Sequence, residues 1–284
     1  LVRYHGGRGG AGPIEHVSLD RVNWQSQLAL LNKSVNYQDW RVGMVIERRG
    51  AAARIGFADG TSGPLVGVPD ALREGDVVAA APSGSGFALR AIPEVSGGLV
   101  LQDPRSGRVL AMQGGFDSGL ASFNRATQAQ RQPGSTIKPF VYATGLDFGM
   151  TPASEVLDGK FCVYQGGKLG QKCFQNFGGT GGSGTHTMRW GLEQSRNLMT
   201  VRIANDAGMD NVVRQIERVG IGSYQPYLSF ALGAGETTVL QMVNAYAALA
   251  NNGLQFAPTL IDFVQDRSGK VIWRAATRRC ACSS

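Results

Sequence analysis

The sequence predicts an α+β protein in which an antiparallel sheet with a helical block adjoins a small β-barrel of the OB type. Three observations predict it. Residues 39–95 carry about five short apolar runs parted by turn signals, the texture of a small barrel. From Gly97 onward, strand signals give way to a helical block and then return, which is the order of an α+β domain. The 284 residues, 43% of them hydrophobic, suffice for two cores of unequal size. The expected spans are a linker segment over 1–38, an OB-like barrel over 39–95 and the α+β domain over 96–284.

Taken in order, "GGRGGAG" reads as loop and "LDRVNWQSQLALL" as a short helix. In the barrel region, "RRG" and "ADGTSG" separate apolar runs, with Asp59-Gly60 as a hairpin signal. "EGDVVAAAPSGSGFALRAI" continues the pattern. Aromatic residues are sparse on these runs, so the barrel is expected to be a packing insert, not a stacking platform for nucleic acid. "GGLVLQDPRSGRVLAMQGG" predicts a hairpin. "GSTIKPFVYATGLDFG" predicts a helix from Ser135, with Ile137, Phe140, Val141 and Leu146 on its apolar side and Pro139 in the first turn. "THTMRWGLEQSRN" follows as a helix with Thr187 as its cap. "LMTVRIANDAG" and "MDNVVRQIERVG" each end at glycine, and "GETTVLQMVNAYAALANNG" is an amphipathic helix with a Thr cap and an Asn-Gly stop. "PTLIDFVQDRSGKVIWR" closes as a hairpin.

The formal net charge is +7, which favours anionic partners or simply solubility. The sequence has no block of five like charges, so a nucleic-acid tail is not expected. No window of 18 apolar residues is present, and "LVRYHGGRGG" is not a signal peptide. The chain opens without Met and reads as part of a longer polypeptide. Cys162 and Cys173 bracket "VYQGGKLGQK", whose Gly-Gly suits a hairpin turn, and a disulfide between them implies an oxidising compartment. The spacings do not suit zinc, and no metal or cofactor is expected. Cys280 and Cys282 are too terminal to read.

Chemistry concentrates at "RQPGSTIKPF". A serine hydroxyl is a poor nucleophile until a base stands within reach. A lysine three residues on in one helix brings an amine to the same face. Working near pH 7 requires that amine to lose about 3 pKa units, roughly 4 kcal/mol, by burial or by a helix N-terminus. Ser135-x-x-Lys138 is the one Ser-x-x-Lys in the chain. A Ser-x-Asn triplet, Ser195-Arg196-Asn197, follows at a helix end, placed for Ser195 to relay a proton and for Asn197 to hold Lys138 and a substrate amide. Two further Ser-x-Asn triplets begin at Ser34 and Ser122, so position alone singles this one out.

These segments resemble the transpeptidase domain of class A penicillin-binding proteins. The likeness runs through "FNRATQAQRQPGSTIKPFVYATGLDFGMTPAS", "LEQSRNLMTVRIA" and "LGAGETTVLQMVNAYAALANNG", and "FADGTSG" looks like the OB-like insert of many members. The resemblance implies a penicillin-binding/serine β-lactamase-like fold. It implies roles for Ser135 as acyl-ester nucleophile, Lys138 as base, Ser195 as relay and Asn197 as the residue that positions Lys138 and the substrate backbone. It further implies crosslinking of peptidoglycan stem peptides ending in D-Ala-D-Ala, inhibition by β-lactam antibiotics and a periplasmic site of action. The family's third motif, Lys-Thr/Ser-Gly, does not occur in these 284 residues, and Lys168-Leu169-Gly170 lacks the hydroxyl residue and comes too early. Its segment is therefore an expected partner, as are a membrane through an N-terminal anchor and a glycosyltransferase domain, while no nucleic acid is expected. A D,D-carboxypeptidase or β-lactamase on the same fold, and a catalytically silent peptidoglycan- or β-lactam-binding domain, are the competing readings.

Overall fold

The structure is a computed structural model and describes residues 12–93, 95–164 and 170–275. These residues form two compact units. The first holds the described residues up to Gly98 together with Gln113–Arg125, and the second holds Leu99–Met112 with those from Ala126 onward.

In the first unit, strands β1 (Glu15–His16), β2 (Arg41–Arg49), β3 (Ala52–Gly56), β4 (Ser62–Val66), β5 (Asp76–Ser83) and β6 (Gly86–Arg90) run in the order β1-β5-β2-β3-β4-β6. Because β6 also pairs with β5, strands β2 to β6 close into a small barrel. Its interior is the apolar set the sequence supplies: Val45, Ile55, Phe57, Leu65, Leu72, Val78 and Ala80. The Asp59-Gly60 turn forms as expected, with Gly60 at φ +86° and Asp59 Oδ1 accepting from the Thr61 backbone N–H at 3.0 Å.

This unit extends beyond the 39–95 span expected for the barrel. Instead of a free linker, β1 pairs with β5, and helix α1 (Trp24–Leu30) buries Leu28 with Met44 and Val77. Trp24 approaches so closely that a Cβ on Gly56 would stand 2.5 Å from its ring. Residues 113–125 join from farther along the sequence: Phe116 packs with Tyr37 and Trp40, and Asp117 accepts from the Asn36 backbone N–H at 2.6 Å. Local patterning does not show such packing, because each partner is short and the contact is distant in sequence.

The second unit opens with a hairpin of β7 (Leu99–Gln102) and β8 (Val109–Gln113). A 3-10 turn at Gly134–Ile137 leads directly into helix α2 (Lys138–Asp147). Two antiparallel pairs follow. Strand β9 (Glu155–Asp158) pairs with β12 (Gly184–Thr187), and β10 (Phe161–Tyr164) pairs with β11 (Gln171–Phe174). Helices α3 (Met188–Glu193), α4 (Asn197–Ala207), α5 (Met209–Arg218) and α6 (Val239–Ala250) complete the helical block, and β13 (Phe263–Gln265) with β14 (Val271–Arg274) forms the last hairpin. The caps are the expected ones. Thr187 Oγ1 accepts from Trp190 N–H, and Thr238 with Gln241 forms a full capping box.

The core of this unit surrounds α2, where Ile137, Phe140 and Val141 pack with Met199, Ile203, Val212 and Ile216. Leu146 departs from its expected place on the apolar side: it is 44% exposed, while Tyr142 is buried instead. In its last turn Thr144 and Gly145 are still buried, with Ile203 against Gly145, so the covered side there excludes Leu146.

Cys162 stands opposite Cys173 in the β10–β11 register, and a disulfide joins them. The Gly-Gly turn expected between them lies outside the described residues, as do Cys280 and Cys282. With a sequence separation of 11, the closed loop contributes about 3 kcal/mol by restricting the unfolded chain. Reduction should add two daltons to the intact mass and lower the thermal midpoint. An unchanged mass after reduction under denaturing conditions would rule the bridge out.

Candidate active site

The Pro133-Gly134-Ser135 turn is clamped from behind by the segment around Gly233 and by α6. Arg131 and Thr237 exchange backbone hydrogen bonds at 2.9 and 3.0 Å. Gly233, at φ +77°, sits so close that a Cβ there would fall 2.3 Å from the Gly134 carbonyl oxygen. Tyr246 donates its hydroxyl proton to the Thr136 carbonyl at 2.8 Å, and its ring meets Phe140 edge to face. Thus "LGAGETT" and the helix after it form the back wall of the serine turn, a role that their composition alone does not reveal.

Ser135 is exposed on this turn, and its carbonyl accepts the Lys138 backbone N–H. Lys138 is 1% exposed, and its amine points away from solvent. Nζ donates to the Ser195 carbonyl at 2.6 Å, to Ser195 Oγ at 3.1 Å and to Asn197 Oδ1 at 2.7 Å. Here the expectation of a direct Ser135–Lys138 contact needs correction. Among the described residues Ser135 Oγ makes no hydrogen bond, and the three ammonium donors of Lys138 go to Ser195 and Asn197 instead. A neutral amine has only two hydrogens, so deprotonation frees the lone pair that a serine proton requires.

Burial, and secondarily the charge of Arg196, lowers the Lys138 pKa to about 8. At pH 7 about a tenth of the amine is then neutral, against a few parts in ten thousand for a free lysine. Ser195 adopts φ +51°, a left-handed conformation uncommon for a residue with a side chain. It presents both its carbonyl and its hydroxyl to one amine. Asn197 opens α4, and its Nδ2 donates to the Gln175 carbonyl at 3.0 Å.

Sequence reasoning missed two residues here. Asn176 Oδ1 accepts from the backbone N–H groups of Asn197 and Leu198 at 2.9 and 3.3 Å, capping α4 from outside the helix. Asp158, whose side chain is fully buried, takes a two-pronged ion pair from Arg196 at 2.9 and 2.6 Å. An Asp closing a strand before Gly is too common a pattern to have pointed to either role.

Within this α+β domain a buried lysine, held by a Ser-x-Asn triplet, stands one turn behind an exposed serine. The family described as "Penicillin binding protein transpeptidase domain" matches residues 97–278, and the chain belongs to it. Among curated proteins, "Penicillin-binding protein 1A" of Rickettsia prowazekii is 38% identical over 281 residues, covering 94% of this chain. Its counterpart in Neisseria meningitidis serogroup B is 37% identical over 204 residues, 71% of this chain. The chain spans 35% and 26% of the length of these two relatives. Among solved structures, penicillin-binding protein 1A of Haemophilus influenzae aligns over 99% of this chain and 43% of its own, with TM-score 0.74 and 28% identity. PonA1 of Mycobacterium tuberculosis, solved with penicillin V, aligns over 64% of this chain and 50% of its own, with TM-score 0.57 and 27% identity. These likenesses establish the penicillin-binding transpeptidase fold. The small barrel is present too. No described helix is long and apolar enough to cross a membrane.

Proposed function

We propose that this chain carries the acylating side of a peptidoglycan D,D-transpeptidase. The observation that supports it is the buried Lys138 amine, held by Ser195 and Asn197 one turn behind an exposed serine. Ser135 Oγ attacks the carbonyl carbon of the penultimate D-Ala in a stem peptide. Its proton passes to Lys138 Nζ and then, through Ser195 Oγ, to the amine of the departing terminal D-Ala. The bond to that amine breaks and a Ser135 ester remains. The amine of a neighbouring stem peptide attacks this ester, forms the crosslink and returns the hydroxyl to Ser135. A β-lactam follows the first half of this path and stays attached. Asn197, tied to Lys138 through Oδ1, positions the amine and the substrate backbone.

A Lys-Thr/Ser-Gly strand completes the pocket in this reading and supplies the carboxylate-binding surface. The full-length protein is anchored to the inner membrane, acts on its periplasmic side and also carries a glycosyltransferase domain. The small barrel is an OB-like insert of the kind carried by many class A members.

The test is to incubate the full-length protein with a fluorescent penicillin and map the adduct by peptide mass. An adduct on the peptide holding Ser135 that persists for many minutes supports the reading, and rapid release would mark a β-lactamase instead. The acylation rate should also depend on pH in a defined direction. Only neutral Lys138 accepts the serine proton, so the rate should rise with pH through a midpoint near 8 and level off above it. A rate flat between pH 6 and 9 would remove Lys138 as the base.

A further inference from the structure

We propose that Asp158 is a positioning residue for Lys138, acting through Arg196 and Asn176 on the two residues that hold the amine. The inference rests on the transpeptidase reading above. One buried carboxylate at the end of β9 gathers five donors. Oδ2 accepts from Arg196 Nε and Nη2 at 2.9 and 2.6 Å, and from Ser183 N and Oγ at 3.0 and 2.8 Å. Oδ1 accepts from Asn176 Nδ2 at 2.9 Å. The amide oxygen of that same Asn176 accepts the first backbone N–H groups of α4. Arg196, the N-cap residue of α4, makes no side-chain cap of its own, so the helix start depends on this outside acceptor.

The carboxylate therefore fixes the Ser195-Arg196-Asn197 triplet at two points, the middle side chain and the N-terminal amides of the helix. Both residues that hold Lys138 Nζ flank or include those points. Loss of either anchor frees Ser195, which already sits in a left-handed conformation that its surroundings must impose. The arrangement also has an electrostatic consequence. The Arg196 guanidinium lowers the pKa of Lys138, and the Asp158 carboxylate paired with it offsets its charge. Burial pushes the Asp158 carboxyl up, but the bonds from Arg196, Asn176 and Ser183 outweigh it and hold it below the usual range, so it is charged at working pH. The other titratable groups in the network are Tyr142 and His186. Tyr142 lies one turn along α2, and burial pushes its hydroxyl to about 12, so it stays neutral. His186 on β12 reaches Asp158 only through Ser183 Oγ.

Asp158→Asn keeps the shape and removes the charge. In the full-length protein, acylation by a fluorescent penicillin should slow by about 10- to 100-fold, the cost of a slightly misplaced catalytic group. Its pH midpoint should fall below the wild-type value, because Arg196 then acts on Lys138 unopposed. Arg196→Gln should move the midpoint above the wild-type value, and the double variant should fall between the two single variants, since the carboxylate and the guanidinium act on Lys138 with opposite signs. A merely structural Asp158 would change the folded fraction and leave the midpoint of Asp158→Asn at the wild-type value. Where Asp158→Asn fails to fold, the Arg196→Gln profile decides, and an unmoved midpoint there overturns the inference. A wild-type protein that forms no Ser135 adduct overturns the transpeptidase reading and this inference with it. A normal wild-type adduct with Asp158→Asn matching it in rate and midpoint overturns this inference alone.

Discussion

Ser135→Ala should abolish covalent penicillin labelling of the full-length protein, with no detectable acyl adduct on the active-site peptide. The loss is complete because the substitution removes the one oxygen that forms the ester. The fold should not suffer. Ser135 is exposed, its hydroxyl bonds to nothing among the described residues, and the turn around it is held by Thr237, Gly233 and Tyr246. Such a surface change typically alters stability by no more than about 0.5 kcal/mol. The measurement is intact-mass spectrometry after saturating penicillin, paired with a melting curve. A full adduct on the alanine variant would transfer the nucleophile to another residue and end the assignment.

Lys138→Ala should leave Ser135 in place yet slow acylation by about 100- to 10,000-fold, the usual contribution of a general base. The effect should fall on the rate constant of the chemical step, with penicillin binding before that step little changed. Two further consequences follow from the geometry. Truncation strands Ser195 Oγ and Asn197 Oδ1 without their donor and opens a cavity where the lysine stem lay, so stability should drop by about 1–3 kcal/mol. The residual rate should lose the rise through pH 8, since no amine titrates there. Stopped-flow fluorescence across pH 6 to 9 measures both. A variant that acylates at the wild-type rate would show that Ser135 takes its base from elsewhere.

Much of this protein was legible from local chemistry. Asp59-Gly60 specified a turn because glycine alone adopts its φ without strain, and Thr187 and Thr238 marked helix starts because their hydroxyls satisfy N–H groups the helix leaves open. Leu146 shows the limit of that reasoning: periodicity placed it with the core, but burial depends on what covers each turn of α2. The span 1–38 shows it again, since Trp24 and Leu28 become core residues only when β2, β3 and β5 stand beside them.

The sequence by itself determined the serine and the lysine one turn on, because three residues along one helical segment fix a separation whatever the rest of the chain does. It also determined the candidate triplet at Ser195 and the facing cysteines of one hairpin. Only the tertiary structure decided where the amine's hydrogens go. Lys138 meets Ser195 and Asn197 across 57 and 59 residues, and the triplet they belong to is bonded in turn by Asn176, in the loop after β11, and by Asp158, at the end of β9. Side chains so far apart in sequence meet through the packing of whole elements, and that packing, by excluding water and bringing Arg196 near, makes this lysine a weaker base than its free counterpart and frees it to act near neutral pH.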